Sequence, residues 1–255
     1  MRVSTLAPGI EVSRIGLGTV KLGRNQGVKY PRAFDLPSMA DARVLIATAR
    51  ELGINLIDTA PAYGLAEARV GELLKNQRQD WIVGTKVGED FDGASHFDFS
   101  LAGAQSSLHR SFQRLDTDYL DYVLLHSDGD DSAVLNSGAC EALVHARREG
   151  SVRAIGISSK TLGGALMALD MGLDIVMVTL NSETTGERPA CIQAAARGRG
   201  VLIKKALGSG HLNPADSLTF VDQTPGVTSI ISGTLNPDHL RANVALINQK
   251  EAPHA

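Results

Sequence analysis

The sequence predicts an α/β protein, an eight-stranded (β/α)8 TIM barrel, on three observations. Eight short β-rich runs recur along the 255 residues, most of them near-continuously apolar, as parallel strands buried on both faces are. Helical patterns fill most of the gaps between them. Several of those helices end on glycine, at Gly53, Gly150 and Gly172, where a left-handed residue closes the last turn without a Cβ penalty. The length suits one barrel as well as two small domains, and no composition shift, linker or internal repeat divides the chain. Residues 1–255 are therefore expected to form a single domain.

In chain order, the first run is "RIGLGTV" (14–20), followed by a polar loop with two prolines, "RNQGVKYPRAFDLPS" (24–38). An open doubly wound sheet would need a G-x-G-x-x-G turn opening a helix there, and "GLGTVKLG" has no such helix after it. "ADARVLIATARELG" (40–53) reads as a helix, "NLIDTA" (55–60) as the second strand, "EARVGELLKNQ" (67–77) as a helix and "WIVGTKV" (81–87) as the third strand. "SLAGAQSSLHRSFQRL" (100–115) and "YVLLH" (122–126) form the next helix and strand, then "ACEALVHARREG" (139–150) and "VRAIGIS" (152–158), then "KTLGGALMALDMG" (160–172) and "DIVMVTL" (174–180). "GVLIKKAL" (200–207) and "TSIISGT" (228–234) complete the eight, and "LRANVALINQ" (240–249) is a closing helix.

With 43% hydrophobic, 21% charged and 4% aromatic residues, the chain can bury a large core and lacks the bias of a disordered protein. Its net charge of -3 carries no basic excess, which argues against nucleic acid or an acidic membrane as partner. Any anionic ligand must be met locally. Cys140 and Cys191 stand far apart with no zinc-like spacing, so no structural metal is expected. The N-terminus lacks a signal-peptide pattern and no run of about 18 apolar residues occurs; a reduced, cytoplasmic protein is expected.

Chemistry in such barrels gathers where strands end and loops begin. Those positions carry Asp58, Tyr63, Lys86 and His126 on three consecutive strand ends. A tyrosine with an ordinary pKa of about 10 is a poor acid at neutral pH, and a nearby ammonium favours its phenolate and brings that pKa down. Lys86 can do this, and Asp58 can keep a buried Lys86 charged and in place. His126 can add a hydrogen bond to a carbonyl oxygen, orienting it toward Tyr63. The set suits protonation of an oxygen as a carbonyl becomes an alcohol, with a hydride from elsewhere. The bland alternative is a buried salt bridge beside an unrelated tyrosine and histidine.

The segments "GLGT", "NLIDTAPAYG", "GELLK", "VGTKVG", "SLHRSFQRLDTDYLDYVLLHSD", "GSVRAIGISS", "GSGHL" and "ISGTLNPDHLRANV" together resemble the aldo-keto reductase superfamily over nearly the whole chain. The resemblance implies a TIM barrel that holds an extended nicotinamide cofactor, usually NADPH with NADH as the alternative, across the C-terminal ends of its strands. It implies reduction of an aldehyde or ketone, or the reverse, with Asp58, Tyr63, Lys86 and His126 as the catalytic tetrad. Gly18, Thr19 and Asp58 fall on cofactor-side positions. Ser158 matches the serine of a G-x-S-N motif, while Ser159 stands where the family has asparagine and Met177 where many members have glutamine. Lys204 replaces the aromatic residue that commonly stacks on the nicotinamide. Leu207 and Gly208 belong to the segment that contacts the pyrophosphate. Gly233, Thr234, His239 and Asn243 match the adenosine end, where the usual basic residue after the Gly-Thr pair is Leu235 and Arg241 is an exposed alternative.

Alternation along the seventh strand is expected to turn one of Lys204 and Lys205 inward. A lysine there could instead form a Schiff base in an aldolase, and a nicotinamide-binding regulatory subunit is a further alternative. Trp81 reads as packing, and His96, His109, His145 and His211 as surface or structural residues. The "DGDD" cluster (128–131) reads as solvated turn carboxylates, with Asp128 at the pocket's edge. The loop 24–37 is expected to form part of the pocket wall, and the short segment after the last helix to leave that pocket open. A small-molecule carbonyl substrate and a monomer or weak homo-oligomer complete the expectation.

Overall fold

The computed structural model describes residues 1–248; the end of the last expected helix and of the expected domain, residues 249–255, lie outside the described residues. A hairpin of β1 (Val3–Ala7) and β2 (Ile10–Ser13) comes first, then β3 (Ile15–Gly18), β4 (Leu56–Asp58) and β5 (Ile82–Val87). A second hairpin, β6 (Glu89–Phe91) and β7 (Ser95–Phe97), follows, and then β8 (Leu120–His126), β9 (Val152–Ser158), β10 (Ile175–Thr179), β11 (Gly200–Lys204) and β12 (Ser229–Ser232). Eight of these strands, β3-β4-β5-β8-β9-β10-β11-β12, close into a parallel barrel in which β12 pairs with β3. All eight runs expected from the sequence are barrel strands.

The helices are α1 (Val20–Gly23), α2 (Met39–Glu51), α3 (Ala66–Leu74), α4 (Leu101–Leu115), α5 (Asp131–Leu135), α6 (Gly138–Arg148), α7 (Leu162–Asp170), α8 (Arg188–Ala196), α9 (Pro214–Gln223) and α10 (Pro237–Asn248). The helices α8 and α9, absent from the sequence expectation, fill the two gaps flanking β11. Gly53, Gly150 and Gly172 follow their helices at φ +76°, +82° and +78°, as a left-handed close requires.

Side-chain alternation divides the strands into an outer and an inner set. On β8, Val123 and Leu125 join the layer under the helices, while Tyr122 and Leu124 belong to the barrel interior with Leu56, Ala154, Ile175, Met177 and Leu202. The same interior cluster includes Leu6, Ala7, Ile10 and Val12 of the first hairpin, so the hairpin joins the apolar end of the barrel. Moving toward the C-terminal ends, the inward row changes character to Asp58, Lys86, His126, Ser158 and Lys204. No described helix is long and apolar enough to cross a membrane.

Close packing places the first of these groups. A Cβ added at Gly84 would lie 1.9 Å from Cζ of Tyr122, so the Tyr122 ring covers a strand position that has room for hydrogen alone. Gly84→Ala is expected to push that ring aside and lower stability by about 1–3 kcal/mol, as overpacked cores do. Urea unfolding measures the loss; an unchanged midpoint would contradict this packing.

Candidate active site

Asp58 ends β4, and the chain then turns through a 3-10 segment, Pro61–Tyr63, with proline in its first turn. Gly64 follows at φ +61°, and a Cβ there would stand 2.6 Å from the Gly23 carbonyl oxygen. Only glycine fits both the left-handed backbone and that approach. This turn swings Tyr63 over the barrel mouth. Lys86 comes from β5 and His126 from the last position of β8.

The Lys86 Nζ donates to Asp58 Oδ2 at 2.7 Å and to the Thr59 carbonyl at 2.9 Å, and it lies 4.8 Å from the centre of the Tyr63 ring. Tyr122 donates to the other carboxylate oxygen, Asp58 Oδ1, at 3.0 Å. The Thr19 hydroxyl donates to the Asp58 carbonyl at 3.0 Å. His126 stands edge-on to Tyr63, ring centres 6.2 Å apart and planes at 89°. The four expected residues are thus brought together, and Tyr122 is a fifth that the sequence reading missed. Its signal was present, since Tyr122, Leu124 and His126 share one inward row of "YVLLH".

Burial acts to lower the pKa of Lys86, but Asp58 and Tyr63 outweigh it and hold the ammonium above the ordinary lysine value. Burial pushes the phenol of Tyr63 up, with Lys86 pulling against it, and the net direction is upward. The sequence expectation of a lowered tyrosine pKa is corrected here. Desolvation outweighs the neighbouring charge, so Tyr63 keeps its proton at neutral pH. Burial, together with Lys86, Lys204, Lys160 and Arg24, drives His126 well below its ordinary value, and its imidazole is neutral.

Glu89, on the second hairpin, brings Oε2 to 3.1 Å from His126 Nδ1, without the alignment of a hydrogen bond. Its other oxygen accepts from Ser95 Oγ at 2.7 Å and faces Arg24 at 3.9 Å. Sequence reading passed over it because the two strands of this hairpin are only three residues long.

A cavity of about 610 Å³ opens beside these groups, a size suited to a small-molecule or cofactor site. Gly18, Ser158, Met177, Lys204 and Leu207 line it with Tyr63 and His126, and Lys29 and Tyr30 from the loop 24–37 form part of its wall. Lys204 Nζ donates to Ser158 Oγ at 2.9 Å and to the Ser159 carbonyl, and burial brings its pKa down to about 7. Lys205 reaches the cavity too, against the expected alternation, because the strand ends at Lys204 and Lys205 turns left-handed at φ +55°. Gly208, Ser209 and Gly210 are also left-handed, which folds this segment along the wall.

Lysines, apolar Met177, Leu207 and Ile231, and the hydroxyls of Ser158, Thr179 and Ser209 line the cavity together, a lining suited to a ligand with both anionic and apolar parts. Other expected contacts lie elsewhere. Ser159 turns its hydroxyl to the Met177 carbonyl at 3.4 Å and to Glu187 at 3.3 Å. Asn243 is buried and donates to Ser232 Oγ at 3.2 Å; Thr234 Oγ1 accepts from the Asn236 amide at 3.1 Å. Gly233, by contrast, lines the cavity near Tyr30; His239 is exposed, and Arg241 pairs with Glu51 at 3.3 Å. Trp81 is buried in the outer core, and His96 is exposed beside Asp92. The "DGDD" expectation is corrected at Asp131, which is buried and accepts from the Lys160 and Thr161 amides.

The aldo/keto reductase family model matches residues 14–216. This chain belongs to the aldo/keto reductase family. A solved aldo-keto reductase from Pseudomonas aeruginosa is 48% identical, covering 97% of this chain and 94% of that one, with a TM-score of 0.89. A holo aldo-keto reductase from Bacillus halodurans shares the fold at 24% identity and a TM-score of 0.84, over 97% of this chain and 91% of that one. Among curated relatives, an uncharacterized oxidoreductase of Bacillus subtilis is 26% identical over 94% of this chain and 89% of its own length. A D-threo-aldose 1-dehydrogenase of Pseudomonas is 29% identical over 81% and 69%. The chain is an enzyme of the oxidoreductase class.

Asp58→Asn would leave Lys86 buried without its carboxylate, at a cost of about 3–5 kcal/mol at neutral pH. The lysine's folded pKa then falls below its unfolded value, so the unfolded state binds more protons and the variant regains stability as pH rises toward 10.5. Wild-type protein, whose Lys86 titrates above that value, should show no such recovery from this group. Parallel urea titrations across pH check both signs.

Proposed function

We propose that this aldo/keto reductase reduces an aldehyde or ketone to an alcohol, or runs the reverse, with Tyr63 as proton donor and acceptor. The observation that carries the reading is the Lys86 ammonium, held on Asp58 at 2.7 Å and 4.8 Å from the Tyr63 ring centre. A bound NADPH, or NADH in its place, supplies the hydride. Gly18, Ser158, Lys204 and Leu207 would hold it in the cavity, with Thr19 and Asp58 at the strand ends beside them. The Ser159 carbonyl anchors Lys204; Gly208, Gly233, Thr234, His239 and Asn243 would serve the pyrophosphate and adenosine end.

Tyr63 is protonated at neutral pH and, although burial weakens it as an acid, Lys86 pulls the other way, so the phenol can give its proton to a carbonyl oxygen as negative charge develops there. Lys86 then stabilises the phenolate that remains. Asp58 keeps Lys86 charged, and Tyr122 and Thr19 fix the carboxylate and its backbone. Neutral His126 has one N–H to offer the same oxygen, orienting it toward Tyr63. The family match weighs against the Schiff-base alternative for Lys204 or Lys205, and the complete tetrad against a purely regulatory subunit. In this reading the enzyme is a single-domain cytoplasmic protein, monomeric or weakly self-associating, acting on a small carbonyl compound.

Fluorescence titration with NADPH and NADH, followed by turnover of an aldehyde panel, tests the proposal. Tyr63→Phe is expected to bind cofactor as wild type does and to lose about 10²–10⁴ in kcat, the scale of acid catalysis. Undiminished turnover would remove Tyr63 from its role, and failure of both cofactors to bind at millimolar concentration would remove the reaction.

A further inference from the structure

The chain has eight lysines, and six stand at this one place. Lys21, Lys29, Lys160, Lys204 and Lys205 line the cavity, and Lys86 lies behind Tyr63. Asp58 neutralises Lys86. Among the described residues none of the other five makes an ion pair, although carboxylates elsewhere pair readily with arginines, as Asp121 does with Arg78 and Arg153. Nearby carboxylates are otherwise engaged. Glu89 sits between His126 and Arg24, and Glu187 accepts from the Thr179 amide at 3.2 Å and from Ser159. A protein of net charge -3 has thus gathered lysines in one concavity, where field lines concentrate, with no carboxylate in ion-pair contact with these five among the described residues; burial brings Lys204 down to about 7, and Glu187 and Asp131 act on it from farther off.

The five do not share one job. Lys29 and Lys205 lie along the Leu207–Gly210 turn, where His211 Nε2 contacts the Lys29 carbonyl at 3.3 Å; these suit the cofactor phosphates of the proposed reaction. Lys204 donates to Ser158 Oγ at 2.9 Å, and Ser158 stands opposite His126 in the strand register; Lys160 follows Ser159 and lines the same cavity as His126. Lys160 is also fixed: its Nζ donates to the Asp128 carbonyl at 2.9 Å and its amide to buried Asp131 at 3.1 Å. We propose that the cavity selects carbonyl substrates bearing an anionic group, a carboxylate or a phosphate, held by Lys160 in the cavity it shares with His126, with Lys204 kept for the cofactor. This inference rests on the reductase reading and names its substrate class.

Two matched pairs test it: 4-carboxybenzaldehyde against its methyl ester, and glyceraldehyde 3-phosphate against glyceraldehyde. The charged member of at least one pair is expected to show a kcat/KM about tenfold or more above its neutral partner, as one charge-assisted hydrogen bond supplies; the pair that responds identifies carboxylate or phosphate. Added salt should shrink that advantage and spare the neutral partner, a measurement that needs no variant. Lys160→Met should remove most of the advantage, lowering kcat/KM for the charged member by more than for its neutral partner. Calorimetric binding of all four compounds separates the two claims. Tighter binding of a charged member without turnover would uphold the anion-selective cavity and overturn the reaction. Equal binding and equal kcat/KM within both pairs, with Tyr63-dependent turnover, would overturn the selectivity and leave the reaction standing.

Discussion

Lys86 and Asp58 meet at 2.7 Å with both side chains almost wholly shut off from water. Removing two opposite charges from water is expensive, and such a pair persists where its geometry and additional hydrogen bonds make up the loss. Here Tyr122 and the backbone of Thr59 and Thr19 complete the hydrogen bonding. The barrel supplies these partners from β3, β4, β5 and β8 at matched register, Gly18 opposite Asp58, Asp58 opposite Gly84, and Gly84 opposite Tyr122. A shift of one residue on β4 or β5 would turn Asp58 or Lys86 into the helix layer. The closed sheet and the ion pair therefore constrain each other.

The rest of the mouth follows from this pair. In the proposed reaction a permanent ammonium beside Tyr63 gives the phenolate a stabilising partner without depriving the resting phenol of its proton. Burial first, and then the same ammonium with Lys204, Lys160 and Arg24, keeps His126 neutral, and in the proposed reaction that imidazole acts as an oriented dipole. Apolar side chains from the barrel interior and the first hairpin pack below, which leaves the polar groups facing a single opening.

The eight barrel strands were legible in the sequence because a strand buried on both faces leaves an apolar run that needs no context. The tetrad was legible because each member sits at a strand end or in the turn after it. Other features were not. Strand β1 carries an irregularity between Thr5 and Ala7, which breaks the alternation that would announce it. The second hairpin has strands of three residues, with Phe91 and Phe97 on one face beside Glu89 and Ser95, too short a pattern to give its Asp92-Gly93 turn meaning, and Glu89 was lost with it. Helix α8 is alanine-rich with little apolar contrast between its faces, and α9 opens on a proline after Asn213. Lys205 escaped the alternation rule because its backbone leaves the strand. The direction of the Tyr63 shift depends on how far the ring is desolvated against its distance from Lys86, and a sequence holds neither quantity.

The charge state of Lys86 is the central claim, and NMR titration of its Nζ resonance in the folded wild-type enzyme measures it directly. A midpoint above the 10.5 of an ordinary lysine is predicted, with the ammonium retained throughout the neutral range. A midpoint below that value would show that burial dominates Asp58 and Tyr63, and would contradict the account of how the phenolate is stabilised.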